Sequence, residues 1–155
     1  MSSQRSSRPS RQSGFTLIEV LVSVLIFSFG ILGVVGLQAN AIKMSTDAQQ
    51  RAEATFLADQ LFARMLIADP ATAATFAHNP TGTTLCAPNV AASTNATVIE
   101  WLAEVTATFP RASATEQQII VSASPADQVT VRLCWKNAEN DDPHTLEVSN
   151  RVQWQ

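Results

Sequence analysis

A single acidic side chain, Glu19, lies within a long apolar stretch of the sequence. It is the only charged residue between Phe15 and Leu37. A carboxylate inside hydrocarbon costs roughly 2.5–3.5 kcal/mol even on the more lenient insertion scale, so it requires a partner. A nearby cation would offset that cost, because opposite charges attract strongly where water is excluded. Glu19 is therefore predicted to form an ion pair; the alternative is that it lies close enough to the membrane surface to reach water.

The residues around Glu19 indicate where such a partner would approach. At about 100° per residue in a helix, Glu19 shares one narrow stripe with Ser23, Gly30, Gly33 and Leu37. Small residues on a helix surface allow a second helix to come close. This stripe is predicted to be a helix-packing face.

The apolar stretch also predicts how the chain crosses a membrane. As a helix, residues 15–37 are long enough to span a hydrocarbon core of about 30 Å. Arg5, Arg8 and Arg11 precede the stretch with no acidic residue among them, which favours a cytoplasmic N-terminus and an external C-terminal part. A secretory signal would have its cleavage site after the apolar region. Here the candidate site, Gly14-Phe15, comes before it.

These residues together resemble a known family. Behind a short basic leader, the segment Gly14-Phe15-Thr16-Leu17-Ile18-Glu19-Val20-Leu21 resembles the cleavage and methylation motif of type IV prepilins and type II secretion pseudopilins. The resemblance implies that an inner-membrane prepilin peptidase cuts after Gly14 and methylates the new N-terminal amine of Phe15. It also implies that Glu19 pairs with the N-terminal amine of a neighbouring subunit during assembly. The glycine- and leucine-rich residues 29–38 are similar to those of PilV-type minor pilins.

Two cysteines, Cys86 and Cys134, follow the apolar stretch. The predicted orientation places them in the periplasm, where disulfides persist. We therefore expect a Cys86–Cys134 disulfide. The alternative, a zinc ion held by these cysteines with His78 and His144, lacks the close ligand pairs that such sites use. No metal and no cofactor is predicted.

Composition excludes several classes of function. The chain has 155 residues, 46% hydrophobic and 15% charged, which is enough for one domain with a core. All 13 acidic residues follow the basic leader, so the body of the protein is acidic and nucleic acid is not a predicted partner. None of the motifs G-x-x-x-x-G-K, G-x-S-x-G, H-E-x-x-H or C-x-x-C occurs, so we do not expect an enzyme.

Periodicity predicts the elements that follow the apolar stretch. Residues 38–68 contain neither Gly nor Pro and have an apolar face, so the helix should continue until just before Pro70. Residues 69–96 are predicted to be a surface connection. A capping-box signature at Thr97-Val98-Ile99-Glu100 predicts a short helix that ends at Pro110.

Three alternating segments near Ile119, Val131 and Val148 predict a three-stranded antiparallel sheet, with turns at 124–127 and 140–143. The predicted fold is α+β, a pilin-like lollipop. Its parts are a cleaved leader at 1–14, a transmembrane segment at 15–37, a soluble helical segment at 38–68 and a periplasmic head at 69–155.

Three hypotheses for function follow. The first is a minor pilin that is processed by prepilin peptidase, held in the inner membrane with a periplasmic head, and packed against other major and minor pilins through its N-terminal helix. The second is a minor pseudopilin of a type II secretion system, which would share every feature up to Leu37. The third is a single-pass anchored binding module, which would not be cleaved.

Overall fold

The fold is α+β, as the sequence predicts. The computed structural model describes residues 14–88, 90–109, 111–122, 127–139 and 141–154. The elements, in chain order, are helix α1 (Leu17–Leu66), a 3₁₀ helix (Pro70–Phe76), helix α2 (Ala96–Thr108), a second 3₁₀ helix (Ala114–Glu116), and strands β1 (Gln118–Val121), β2 (Gln128–Trp135) and β3 (His144–Arg151). The predicted leader up to residue 13, Pro110, residues 124–126 of one predicted turn and Asn140 of the other lie outside the described residues.

The chain divides into two compact units, Met1–Ser45 and Thr46–Gln155. In the first unit, every described side chain is exposed, including the apolar ones. Within the described residues, α1 is the one helix long and apolar enough to cross a membrane, and none of its most apolar segment is buried. Apolar surface of this extent is normally covered by lipid or by other protein chains.

The second unit has one hydrophobic core, formed by α1, α2 and the sheet. The predicted apolar face of α1 is buried there, from Ala54 to Met65. The side chain of Trp101 in α2 is fully buried, and its indole nitrogen donates to the backbone oxygen of Leu57, 2.8 Å away. The rings of Phe109 and Trp135 stack with their centroids 5.1 Å apart. The core therefore ties both helices to the central strand.

The sheet is an antiparallel meander of three strands in the order β1-β2-β3. Ile119 lies opposite Val131 in the first pair of strands, and Val131 lies opposite Val148 in the second. On β2, Val129, Val131, Leu133 and Trp135 are all buried against the helices. This alternation is the one that the sequence predicts for a sheet covered on one face.

Two local predictions were wrong. Part of the predicted surface connection is the 3₁₀ helix Pro70–Phe76, which begins because Asp69 accepts a hydrogen bond from Ala71 N at 2.8 Å. Helix α2 is capped by Asn95, whose side chain accepts from Thr97 N at 2.9 Å, and not by Thr97. Asparagine is among the best N-cap residues, and this contact makes Thr97 the second helical residue.

The segment between Asn79 and Ala91 is closed by a buried amide. Asn79 is 2% exposed, and its φ of 49° lies in the left-handed region that asparagine tolerates. Its side-chain oxygen accepts from Val90 N at 3.1 Å and Ala91 N at 3.2 Å. Its amide nitrogen donates to Thr115 O at 3.3 Å and Gln117 O at 3.1 Å. One side chain thus fastens both ends of this segment to the residues that precede β1.

We expect Asn79→Ala to lower the free energy of unfolding of the second unit by about 2–3 kcal/mol, because it leaves buried backbone groups without partners. This corresponds to a fall in Tm on the order of 10 °C. The measurement is thermal unfolding in detergent, followed by near-ultraviolet circular dichroism of the tryptophans. The matched control is Asn150→Ala, because Asn150 is exposed and makes only a local bond to Arg151 N. Equal stability of the two variants would contradict this role for Asn79.

Candidate processing and assembly site

The Gly14-Phe15 junction lies immediately before α1 and outside regular structure. The first turn of the helix is closed by Thr16 O, which accepts from Glu19 N at 3.1 Å and Val20 N at 3.3 Å. Phe15 is 82% exposed. A Cβ atom added to Gly14 would meet nothing within 4 Å, so no part of the described chain covers this bond. The junction is therefore open to an approaching enzyme.

Glu19 lies in the first turn of α1, where the partial positive charge of the helix N-terminus favours an acid. Its side chain is exposed, and within the described residues its carboxylate takes part in no ion pair. Cleavage after Gly14 would create an amine on Phe15, one helical turn before Glu19. Among the described residues, the Glu19 carboxylate is thus unpaired, and it lies one helical turn from the amine that cleavage would create.

The predicted packing stripe on α1 is open along its length. The hydroxyl of Ser23 donates to Glu19 O at 2.7 Å, so it is already satisfied within its own helix. Added Cβ atoms on Gly30 and Gly33 would meet nothing within 4 Å. A shallow groove of about 480 Å³ lies beside Gly30, between Phe27 and Val34. No described residue therefore covers this part of the stripe.

In the second unit, Cys86 and Cys134 form a disulfide, with a Cα–Cα distance of 5.5 Å. The bond links the segment closed by Asn79 to strand β2. The backbone of Cys134 is also held by the side chain of Gln117, which accepts from Cys134 N at 2.9 Å and donates to Cys134 O at 3.0 Å. Gln117 is fully buried. Its side chain makes the hydrogen bonds to Cys134 that the backbone of a neighbouring strand would otherwise make, because β1 begins only at Gln118.

The zinc alternative does not fit this geometry. Both sulfur atoms are in the disulfide, so neither is a thiolate ligand. Both ring nitrogens of His78 have hydrogen-bond partners, Ala114 O at 2.9 Å and Ser93 N at 3.1 Å. In the described part of the chain, no three His, Cys, Asp or Glu residues are grouped so as to hold a metal ion.

The sequence predicts roles for Gly14, Phe15, Glu19 and the two cysteines, but it gives no signal for Asn79 and Gln117. A single buried amide belongs to no periodic pattern. The nearby Pro80 and Gly82 indicated only that a turn was present. The bonding of these amides depends on which backbone groups the folded chain brings to them.

Comparison with known proteins identifies the N-terminal segment. The family model described as the prokaryotic N-terminal methylation motif matches residues 9–35. The chain carries the N-terminal motif of type IV prepilin-like proteins. The match includes the Gly14-Phe15 junction, Glu19 and the most apolar part of α1, and together with that helix it fits anchoring in a membrane. Neither curated proteins nor solved structures give a match to the chain.

The disulfide leads to a prediction about mass and stability. Alkylation without reductant should leave the mass of the intact protein unchanged, whereas alkylation after reduction should add two alkyl groups. Reduction should also lower the free energy of unfolding of the second unit by about 3–4 kcal/mol, because the bond closes a long loop in the unfolded chain. Mass spectrometry and thermal unfolding with and without reductant test both points. Two free thiols in protein purified without reductant would contradict the prediction.

The prepilin-like junction leads to a second prediction. Gly14→Leu should leave uncut precursor in the membrane, because a bulky side chain would stand beside the scissile bond in the peptidase. Immunoblotting of membrane fractions from cells that contain prepilin peptidase measures the ratio of precursor to mature protein. Gly36→Leu is the matched control, since its added side chain also meets open space but lies far from the junction. If Gly14→Leu matures as fully as Gly36→Leu, the assignment of the cleavage site is wrong.

Proposed function

We propose that this protein is a PilV-type minor pilin. Its precursor is held in the inner membrane and cut after Gly14 by prepilin peptidase, and the new N-terminal Phe15 is methylated. The mature subunit then packs against other major and minor pilins through α1, at low copy, near the tip or in the priming complex of a type IV pilus. The protein is a structural subunit and the substrate of its processing enzyme.

The observation that carries this proposal is the methylation motif at the start of an exposed apolar helix. The motif spans residues 9–35, and Glu19 occupies the first turn of α1 with no ion-pair partner among the described residues. A carboxylate within hydrocarbon costs roughly 2.5–3.5 kcal/mol even on the more lenient insertion scale, and a nearby cation would offset that cost. The N-terminal amine of an adjacent processed subunit is a cation of the right charge at the right end of the helix.

The proposed topology follows from the charge distribution. Residues 1–14 form the cleaved leader on the cytoplasmic side, because all of its charges are basic. Residues 15–37 cross the membrane, residues 38–68 continue the helix beyond it, and residues 69–155 form the periplasmic head. The disulfide is consistent with an oxidising compartment for that head.

A minor pseudopilin of a type II secretion system is the second candidate, because the methylation motif is common to both classes. The two differ in the assembly that they enter. A pilin should co-purify with pili sheared from the cell surface, and its gene should neighbour other minor-pilin genes. A pseudopilin should be absent from sheared pili and be required for secretion, with secretion-apparatus genes nearby.

The mass of the mature N-terminus tests the shared part of both candidates. Protein isolated from its own cells should begin at Phe15 and carry one added methyl group. An intact N-terminus, still beginning with residues 1–14, would contradict both candidates and would favour a single-pass anchored binding module. The measurement requires only mass spectrometry of the purified chain and of its N-terminal peptide.

Glu19→Gln should be cleaved and anchored normally but be missing from filaments or from the priming complex. The substitution removes the charge and keeps the shape, so it tests the ion pair between subunits. Comparison of sheared pili and membrane fractions by immunoblotting measures assembly and anchoring separately. The control Glu53→Gln removes an acid from the same helix, where the Glu53 carboxylate accepts a hydrogen bond from Gln49, and it should assemble normally.

The main rival is an ion pair within one subunit, since the Phe15 amine of the same chain lies one turn from Glu19. A purely intramolecular pair would affect the placement or methylation of the N-terminus and leave recruitment intact. Recovery of Glu19→Gln in pili at the wild-type level would therefore overturn the proposed contact between subunits.

A further inference from the structure

Five side chains in the second unit form a continuous chain of hydrogen bonds. Trp135 Nε1 lies 3.0 Å from Gln50 Oε1, and Gln50 Nε2 lies 2.6 Å from Asn137 Oδ1. Asn137 Nδ2 lies 3.2 Å from Asp47 Oδ1 and 3.2 Å from His144 Nε2. This chain of hydrogen bonds joins α1 to the end of β2, to the turn after β2 and to the start of β3.

The residues at the two ends of this chain of hydrogen bonds determine which atom donates each bond. An indole nitrogen can only donate a hydrogen bond, and an ionised carboxylate can only accept one. Because Trp135 donates to the oxygen of Gln50, the amide nitrogen of Gln50 must face Asn137 Oδ1. The amide nitrogen of Asn137 must then donate both to Asp47 and to His144 Nε2. The reverse arrangement would place the indole N–H against an amide N–H and an amide oxygen against the carboxylate.

We propose that this network of hydrogen bonds selects the tautomer of the neutral His144 ring that carries its proton on Nδ1, so that Nε2 accepts from Asn137 and completes the polar link between α1 and the β2–β3 turn. A proton on Nε2 would place a donor against the donor of Asn137. Rotating the Asn137 amide cannot repair the contact. Its oxygen would then face the Asp47 carboxylate, and its nitrogen would face the nitrogen of Gln50.

The charged residues of the network and of the turn that precedes His144 are Asp47 on α1 and Lys136, Glu139, Asp141 and Asp142 between β2 and β3. None of them forms an ion pair with His144 in the described part of the chain, and Glu139 pairs with Arg111 at 3.6 Å. The ring of His144 stacks on Trp135 with the ring centroids 5.8 Å apart, which holds the imidazole beside Asn137.

The other histidine of the chain provides an internal reference. His78 Nε2 lies 2.9 Å from Ala114 O, which can only accept, and His78 Nδ1 accepts from Ser93 N at 3.1 Å. These partners require the opposite tautomer, with the proton on Nε2. The two histidines of this protein should therefore be locked as different neutral tautomers.

The first test is nuclear magnetic resonance of the full chain in detergent micelles, with ¹⁵N label in the histidine rings. At mildly alkaline pH, the two-bond correlation spectrum should show one ring protonated on Nδ1 and one on Nε2. The His144→Gln variant should lose the Nδ1-protonated pattern and keep the other. Two Nε2-protonated rings, or a His144 signal averaged between the tautomers, would overturn the proposal. The test does not depend on the proposed function, because it requires neither processing nor assembly.

The second test asks whether Asn137 selects the tautomer. Asn137→Ala keeps the ring stack but removes the donor to Nε2, so the His144 ring should lose its pure Nδ1-protonated pattern. Asn150→Ala, which removes an exposed amide near the far end of β3, should leave the pattern unchanged. A His144 ring that is as purely Nδ1-protonated in Asn137→Ala as in the wild type would show that another group selects the tautomer and would overturn the proposal.

Discussion

The second unit depends on the burial of one face of α1. From Ala54 to Met65 this face packs into the core that α2 and the sheet complete. Burial of apolar surface contributes about 25 cal/mol for each Å² removed from water, so a face of this size outweighs any single polar contact in the unit. The bond from Trp101 to Leu57 O then fixes how α2 lies on that face, since an indole N–H without a partner is costly in a dry core.

Buried amide side chains also stabilise the second unit, in places where no neighbouring strand bonds to the backbone. Asn79 fastens the segment that carries Cys86, and Gln117 bonds both backbone groups of Cys134. The two cysteines are therefore held by polar contacts on either side of the disulfide. Such amides stabilise the fold only when they are fully bonded, because each unmet donor or acceptor in the core costs about 1–3 kcal/mol.

The first unit has the opposite character. Its described side chains are all exposed, and its Ser23 and Ser28 hydroxyls bond to carbonyls of their own helix. None of the described residues of this unit covers the apolar surface or forms an ion pair with Glu19. The stability of such a helix depends on its surroundings, whether lipid or neighbouring helices. This dependence on partners is what a subunit that passes from a membrane into a filament would require.

The sequence by itself determined the features that depend on local order along the chain. The spacing of Gly14, Phe15 and Glu19 at the start of an apolar stretch predicted the methylation motif, and the alternation from Val129 to Trp135 predicted the central strand. The apolar face from Ala54 to Met65 predicted the buried side of α1. Each of these signals lies in the types and spacing of residues close together in the sequence, so it can be recognised without knowledge of distant residues.

The tertiary structure alone decided which polar groups meet. Asn95 replaced Thr97 as the cap of α2, and the Asn79 side chain bonds to backbone groups of Val90 and Gln117, which no spacing links to it. The chain of hydrogen bonds from Trp135 to Asp47 joins residues that lie far apart in the sequence. The direction of its bonds is fixed because the indole of Trp135 can only donate and an ionised Asp47 carboxylate can only accept. A hydrogen bond depends on distance and angle between two particular atoms, and for residues remote in sequence these are set only when the core has formed.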